Sequence, residues 1–166
     1  MKPYAKGLNL ITHDQLVARA KRWLEKAHGS KFACGVVLAE FRCYLPEIPD
    51  VIGFNNRRSI LIECKVSRAD FKADKHKSHR HYVRGIGSYR YYLTLPHVAC
   101  AEDIENGWGL LYATDSRIIE VKESEYFSDD SIKAEEWSIL YSIVRRLNLR
   151  GLLKDIQEPL DKRWEI

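Results

Sequence analysis

Two short apolar runs joined by a polar tetrad narrow the fold more than any other feature of this chain. Val51-Ile52-Gly53-Phe54 and Ser59 to Val66 flank Asn55-Asn56-Arg57-Arg58. Runs of this length, separated by turn-forming residues, predict a β-hairpin. Paired asparagines suit a tight turn that draws on positive φ. With the turn centred between Asn56 and Arg57, Phe54 faces Ser59, Ile52 faces Leu61 and Asp50 faces Glu63. Lys65 lies two residues beyond Glu63 and points to the same face. Everything in this placement depends on register, because a one-residue slip sends alternate side chains to opposite faces.

The rest of the chain builds outward from the hairpin. Leu16, Ala20, Trp23, Leu24 and Ala27 recur at helical spacing, with Thr12 or Asp14 as cap and Gly29 as stop. Phe32 to Cys43 predicts a strand, which Pro46 and Pro49 then interrupt. Ser67 caps a polar helix over Arg68 to His81, which Gly85 and Gly87 break. Strands are expected at Tyr89 to Leu95, Trp108 to Thr114 and Arg117 to Lys122, the last two joined at Asp115-Ser116. Trp137, Leu140, Tyr141, Val144 and Leu147 mark a closing amphipathic helix, which either completes the core or forms a dimer interface. This order predicts one α/β domain over residues 1–166, a mixed central sheet flanked by helices. Its core spans 12–114 and a helical region follows over 131–166.

Composition narrows the function classes. Hydrophobic residues make up 45% and charged residues 30% of 166 positions, which fits an ordinary folded domain and argues against disorder. A net charge of +4 permits a polyanionic partner without requiring one. Cys34, Cys43, Cys64 and Cys100 show no paired metal-ligand spacing and read as reduced core thiols. Met1 to Leu10 lacks a signal-peptide apolar core, and no stretch is long and apolar enough to span a membrane. The expectation is a cytoplasmic protein.

Asp50 and Glu63, facing each other among Ile52, Phe54 and Leu61, carry the chemistry. Like charges opposed on a sheet are destabilising, and burial makes that worse. A divalent cation between them removes the conflict. Mg²⁺ takes oxygen ligands, commonly one or two carboxylates with waters and phosphate. Lys65 would then stand beside a metal-bound water, placed to orient it or to stabilise charge on a phosphate.

Glu47-Ile48-Pro49-Asp50, followed after twelve residues by Glu63-Cys64-Lys65, resembles the PD-(D/E)XK nuclease superfamily. Pro49-Asp50 matches the first half of that motif and Glu63-Cys64-Lys65 the second. The apolar run before Glu63 and the helix after Lys65 match the family's context, and the resemblance extends over roughly residues 12–114. It implies a restriction-endonuclease-like fold and phosphodiester hydrolysis with Mg²⁺ or Mn²⁺, usually on DNA. Asp50 and Glu63 would be metal ligands and Lys65 the water-positioning residue. Ser67-Arg68-Ala69-Asp70-Phe71, with Asp74-Lys75, is similar to small bacterial and phage members and to MmcB-like repair-associated proteins.

Other residues carry two readings each. Glu40 is a further metal ligand or a solvent-facing glutamate, and Glu47 is a weaker candidate of the same kind. Asp70 and Asp74 serve a second metal or, preferably, ordinary first-turn capping and pairing. Lys72, Lys75, His76, His79, Arg80 and Arg84 belong to the densest basic stretch, and four of them share a helical face suited to a phosphate backbone. His76, His79 and His81 lack the partners of a usual zinc site. Tyr89, Tyr91 and Tyr92 read as sheet packing rather than base stacking. Gly85-Ile86-Gly87 is too short for a phosphate loop. The leading expectation is a Mg²⁺-dependent nuclease acting on DNA, possible as a homodimer. The alternative is a nucleic-acid- or protein-binding module on the same fold, for example a phage-encoded interaction protein.

Overall fold

The computed structural model describes residues 11–27, 29–45, 48–74, 85–105 and 107–154. The hairpin forms in the expected register. Strand β2 (Val51–Phe54) pairs antiparallel with β3 (Ser59–Lys65), with Ile52 opposite Leu61 and Phe54 opposite Ser59. The turn differs from expectation in its chemistry. Neither asparagine has positive φ. The Asn55 carboxamide oxygen instead accepts the N–H groups of Arg57 and Arg58, both at 3.0 Å. A side-chain acceptor thus does the work expected of left-handed backbone. Gly53 is required for another reason, since a Cβ there would lie 2.6 Å from Cys34 Sγ.

The two strands are buried along their full length, as expected of central strands covered on both faces. Strand β1 (Val36–Ala39) pairs antiparallel with β2 on one side. It is much shorter than the expected Phe32 to Cys43. Residues before it close local turns, with Ser30 N–H bonded to Ala27 and Ala33 N–H to Ser30. Glu40, just after it, takes φ 47° and ends the extended run.

On the other side β4 (Tyr89–Thr94) runs parallel to β3, and β5 (Gly109–Ala113) runs parallel to β4. β6 (Ile118–Lys122) returns antiparallel to β5, with a bulge near Leu110 and Leu111. The result is a six-stranded mixed sheet in sequence order β1-β2-β3-β4-β5-β6.

Helix α1 (His13–Lys26) covers one face. Thr12 and Gln15 form a reciprocal capping box at its start. Leu16, Val17, Ala20 and Leu24 then pack with Val51, Ile60, Ile62, Cys64, Tyr91, Leu93 and Leu111. The opposite face packs Ile52, Leu61, Tyr92 and Leu110 against Phe71 of α2 (Arg68–Asp74) and Ile139 of α3 (Asp130–Leu149). Ser67 caps α2 through its hydroxyl, which accepts Asp70 N–H at 3.1 Å. The expected continuation of α2 to His81 lies outside the described residues.

α3 is the helix expected near the C-terminus, but it presents the opposite face to the core. It starts at an Asp129 cap and buries Ile132 and Ile139, with Ile143 packed alongside. Trp137, Leu140, Tyr141 and Val144, which signalled the helix in the sequence, point outward and are 41–71% exposed. Periodicity identifies a helix and its apolar stripe, and it does not say which stripe meets the sheet when there are two.

Candidate active site

β1, β3, β4 and β5 all end at one edge of the sheet, the edge at which β2 begins. The N-terminus of α1 reaches the same edge, where Arg19 donates to the carbonyl of Thr114. Asp50, Glu63, Lys65, Glu40 and His13 collect there.

Asp50 occupies the residue before β2. The ladder alternates, and the next hydrogen-bonded pair beyond Val51 and Ile62 would be Pro49 with Cys64. Proline has no N–H to give. The Cys64 N–H, which a continued ladder would direct to the Pro49 carbonyl, donates to Asp50 Oδ2 at 2.7 Å. The same oxygen lies 3.3 Å from His13 Nε2, a hydrogen bond when that nitrogen carries the proton. One carboxylate therefore ties the hairpin to the first turn of α1.

Glu63 and Lys65 sit within β3 and share the α2/α3 face with Leu61. They are 7% and 6% exposed. Across the parallel ladder they lie opposite Tyr92 and Thr94. Lys65 Nζ stands 3.7 Å from Glu63 Oε2. Burying a carboxylate or ammonium is costly unless it is paired, so this couple offsets part of its own desolvation. Cys64, between them, turns its thiol to the α1 face. Burial first, and then the Asp50 and Glu63 carboxylates, push that thiol well above its ordinary pKa; Lys65 opposes them and Glu40 adds to the rise.

Glu40 continues the β1–β2 ladder by one step, its N–H donating to the Asp50 carbonyl at 3.0 Å. Its left-handed backbone is sterically unfavourable for a residue with a Cβ. Ligand atoms of His13, Asp14 and Glu40 all come within 4.8 Å of one another. Among the described residues this is the group with metal-binding spacing. The expected set of Asp50, Glu63 and Glu40 does not close to that distance. Instead Glu40 groups with His13 and Asp14, Asp50 with His13 and Cys64 N–H, and Glu63 with Lys65.

Sequence reasoning missed His13 and Asp14. Their only local signal is a position in the first turn of a helix, where an acidic residue is ordinary dipole stabilisation. Their proximity to Glu40 and Asp50 depends on how α1 docks. Of the remaining candidates, Asp70 lies half-buried in the first turn of α2 and Lys72 is exposed. Glu47, Lys75, His76, His79, Arg80, His81 and Arg84 lie outside the described residues, as does the side chain of Asp74. Tyr91 and Tyr92 are 2% and 0% exposed, which commits them to packing. Tyr92 stacks on Trp108 with ring centres 4.6 Å apart.

No protein-family model matches this chain, and no curated protein sequence does. Among solved structures it is similar to a protein of unknown function from Silicibacter pomeroyi, with 24% identity and a TM-score of 0.58. The match covers 93% of this chain and 99% of the other. At that identity the likeness concerns the fold alone. The PD-(D/E)XK resemblance rests on the motif residues and gains nothing from these comparisons.

Proposed function

We propose that the protein is a metal-dependent nuclease that hydrolyses phosphodiester bonds, with DNA as the substrate. The observation that carries the reading is β3, which holds Glu63 and Lys65 buried together at the edge where the strand ends, one strand from Asp50. A fold without chemistry to perform gains little from that arrangement, because apolar residues in the same places are at least as stable.

The donor set fits a hard divalent cation. Carboxylate oxygens predominate, and ligand atoms of His13, Asp14 and Glu40 already lie within 4.8 Å of one another. Mg²⁺ suits such ligands, and Mn²⁺ accepts the same oxygens. Glu40, grouped with His13 and Asp14, would hold the ion, and Asp50 and Glu63 would have to close toward it to complete the ligand set. When bound, the ion would polarise a scissile phosphate and supply a nucleophilic water near neutral pH. Lys65, an ammonium shielded from solvent, would orient the attacking water or stabilise negative charge on the phosphate. Asp50 is held in place before any ligand arrives by its bonds to Cys64 N–H and His13. Lys72, at the start of the basic stretch, would meet the phosphate backbone together with Lys75, His76, His79, Arg80 and Arg84.

Plasmid, single-stranded DNA, branched DNA and RNA, each incubated with Mg²⁺, Mn²⁺ or EDTA, test the reading. Metal-dependent cutting of DNA that Lys65→Ala abolishes is the expected result. Cutting that survives in EDTA, or that Lys65→Ala leaves intact, would sink it.

A second reading keeps the fold as a nucleic-acid- or protein-binding module with little catalysis. The observation in its favour is that Asp50 already serves the hairpin by capping Cys64 N–H. It expects salt-sensitive, metal-independent binding that persists in Asp50→Ala, and no cutting in any of the reactions above.

A further inference from the structure

α3 is apolar on two opposite sides, and only one of them meets the sheet. Ile139 and Ile143 pack on the sheet face shared with Ile52, Leu61 and Tyr92, and Ile132 is buried as well. Glu136 fixes that side further by accepting Gly87 N–H at 3.2 Å and the Ser59 hydroxyl. Arg146 adds a third anchor, donating to the Arg42 carbonyl and lying 4.3 Å from the Phe41 ring centre. The outward side carries Trp137, Leu140, Tyr141 and Val144, exposed by 71%, 41%, 59% and 49%. These positions fall at i, i+3, i+4 and i+7, a continuous stripe without a charged residue inside it. A helix facing water on one side is normally polar there.

We infer that this stripe is the contact surface of a homodimer, in which α3 packs antiparallel against α3 of a second copy. The spacing of the stripe selects a second copy as occupant. A twofold axis between Leu140 and Tyr141 sets Leu140 against Tyr141 of the other copy, and Trp137 against Val144. Each large ring then meets a smaller aliphatic partner, so the same patch serves both subunits, as an isologous interface requires. Antiparallel packing also opposes the two helix dipoles favourably. The area is of the right order. With aromatic side chains at about 150–250 Å² each, the exposed parts of these four residues amount to about 400 Å² per copy. Ala134, Ser138 and the stems of Lys133 and Arg145 border the stripe, all at least partly exposed, and bring two copies toward the ~1,200 Å² of a small stable interface.

Sedimentation equilibrium of the full chain tests the inference. The expected mass is twice 19.4 kDa at micromolar concentration. Trp137→Glu and Val144→Glu should each return it to a monomer with an unchanged circular dichroism spectrum. Orientation is tested by cysteine substitution, with the wild type as background. Tyr141→Cys should form an intersubunit disulfide on mild oxidation because it lies near the axis. Trp137→Cys should not, because its copies stand on the order of 10 Å apart along the helix at 1.5 Å per residue. A wild-type monomer at 100 µM overturns the inference, whatever else then covers the stripe. A dimer that both glutamate variants leave intact overturns it as well, and crosslinking through Trp137→Cys alone overturns the antiparallel arrangement.

Discussion

The candidate site has an interior half and a rim half, and they are built on different principles. Glu63 and Lys65 belong to a central strand, paired with β4 across the parallel ladder and shielded from water. His13, Asp14 and Glu40 come from a helix start and a strand end, and are exposed or half-exposed. Asp50 joins the halves, with one oxygen serving both β3 and α1. The contrast separates rigidity from access. The interior half fixes the positions of charge, and the rim half is open to solvent.

The largest effect should come from the interior. Lys65→Ala leaves the buried Glu63 carboxylate without its neighbouring ammonium, so cleavage should fall at least about 100-fold and stability by about 3 kcal/mol. Urea unfolding beside the cleavage assay separates the two losses. If activity drops only in proportion to the unfolded fraction, the interior half is structural.

Asp50 can be divided chemically. In Asp50→Asn the amide oxygen still accepts Cys64 N–H but the charge is gone. Cleavage should fall on the order of 100-fold while stability changes by less than about 1 kcal/mol. Asp50→Ala loses both and should cost about 1–2 kcal/mol in addition. Equal melting of the two variants would show that the strand cap contributes nothing.

On the rim, Glu40→Gly relieves the left-handed backbone and should stabilise the protein by about 1 kcal/mol while lowering activity. Glu40→Ala keeps the strain and should lose activity without that gain. Thermal melts and cleavage rates of the pair distinguish a ligand from a tight bend. His13→Ala should weaken Mn²⁺ binding by about tenfold in a calorimetric titration, roughly the size of losing one outer ligand contact. Unaltered binding would exclude His13 from the site.

The smallest expected effect lies outside both halves. Arg68 follows β3 and grips Asp103 with both guanidinium nitrogens, one of them at 2.7 Å. That guanidinium holds the Asp103 carboxyl well below the usual carboxylate range. A depressed carboxyl stabilises the fold above its unfolded value of about 3.9 and loses that contribution as pH falls through the folded value. Arg68→Ala should therefore melt slightly lower than wild type at neutral pH, and the gap should close below about pH 4. Because the pair is exposed, salt should shrink the gap as well.

The two halves were unequally visible in the sequence. Register within a hairpin follows from turn position and apolar alternation, so Asp50, Glu63 and Lys65 fell on one sheet edge from local information alone. The succession of helices and strands along the chain was similarly local, whereas the parallel pairing of β3, β4 and β5 was not. The rim was not, because it depends on the docking of α1 some forty residues away and on one residue in left-handed backbone, for which Glu40 gives no compositional sign. Which face of α3 meets the sheet stayed open for a related reason. Its outward stripe is richer in large side chains than its inward one, and a pattern of apolar residues carries no label saying what it will meet. The Asn55 turn shows the same limit at small scale, since asparagine supports a turn either by its backbone or by its side chain.

The bond between Asp50 and the Cys64 amide gives the site its own reporter. A ligand that draws the carboxylate away from β3 must weaken that bond, which moves the Cys64 amide resonance in a ¹⁵N correlation spectrum and speeds its exchange with deuterium. Occupancy of the site is therefore readable at a single peptide group, by magnetic resonance, before any phosphodiester is offered.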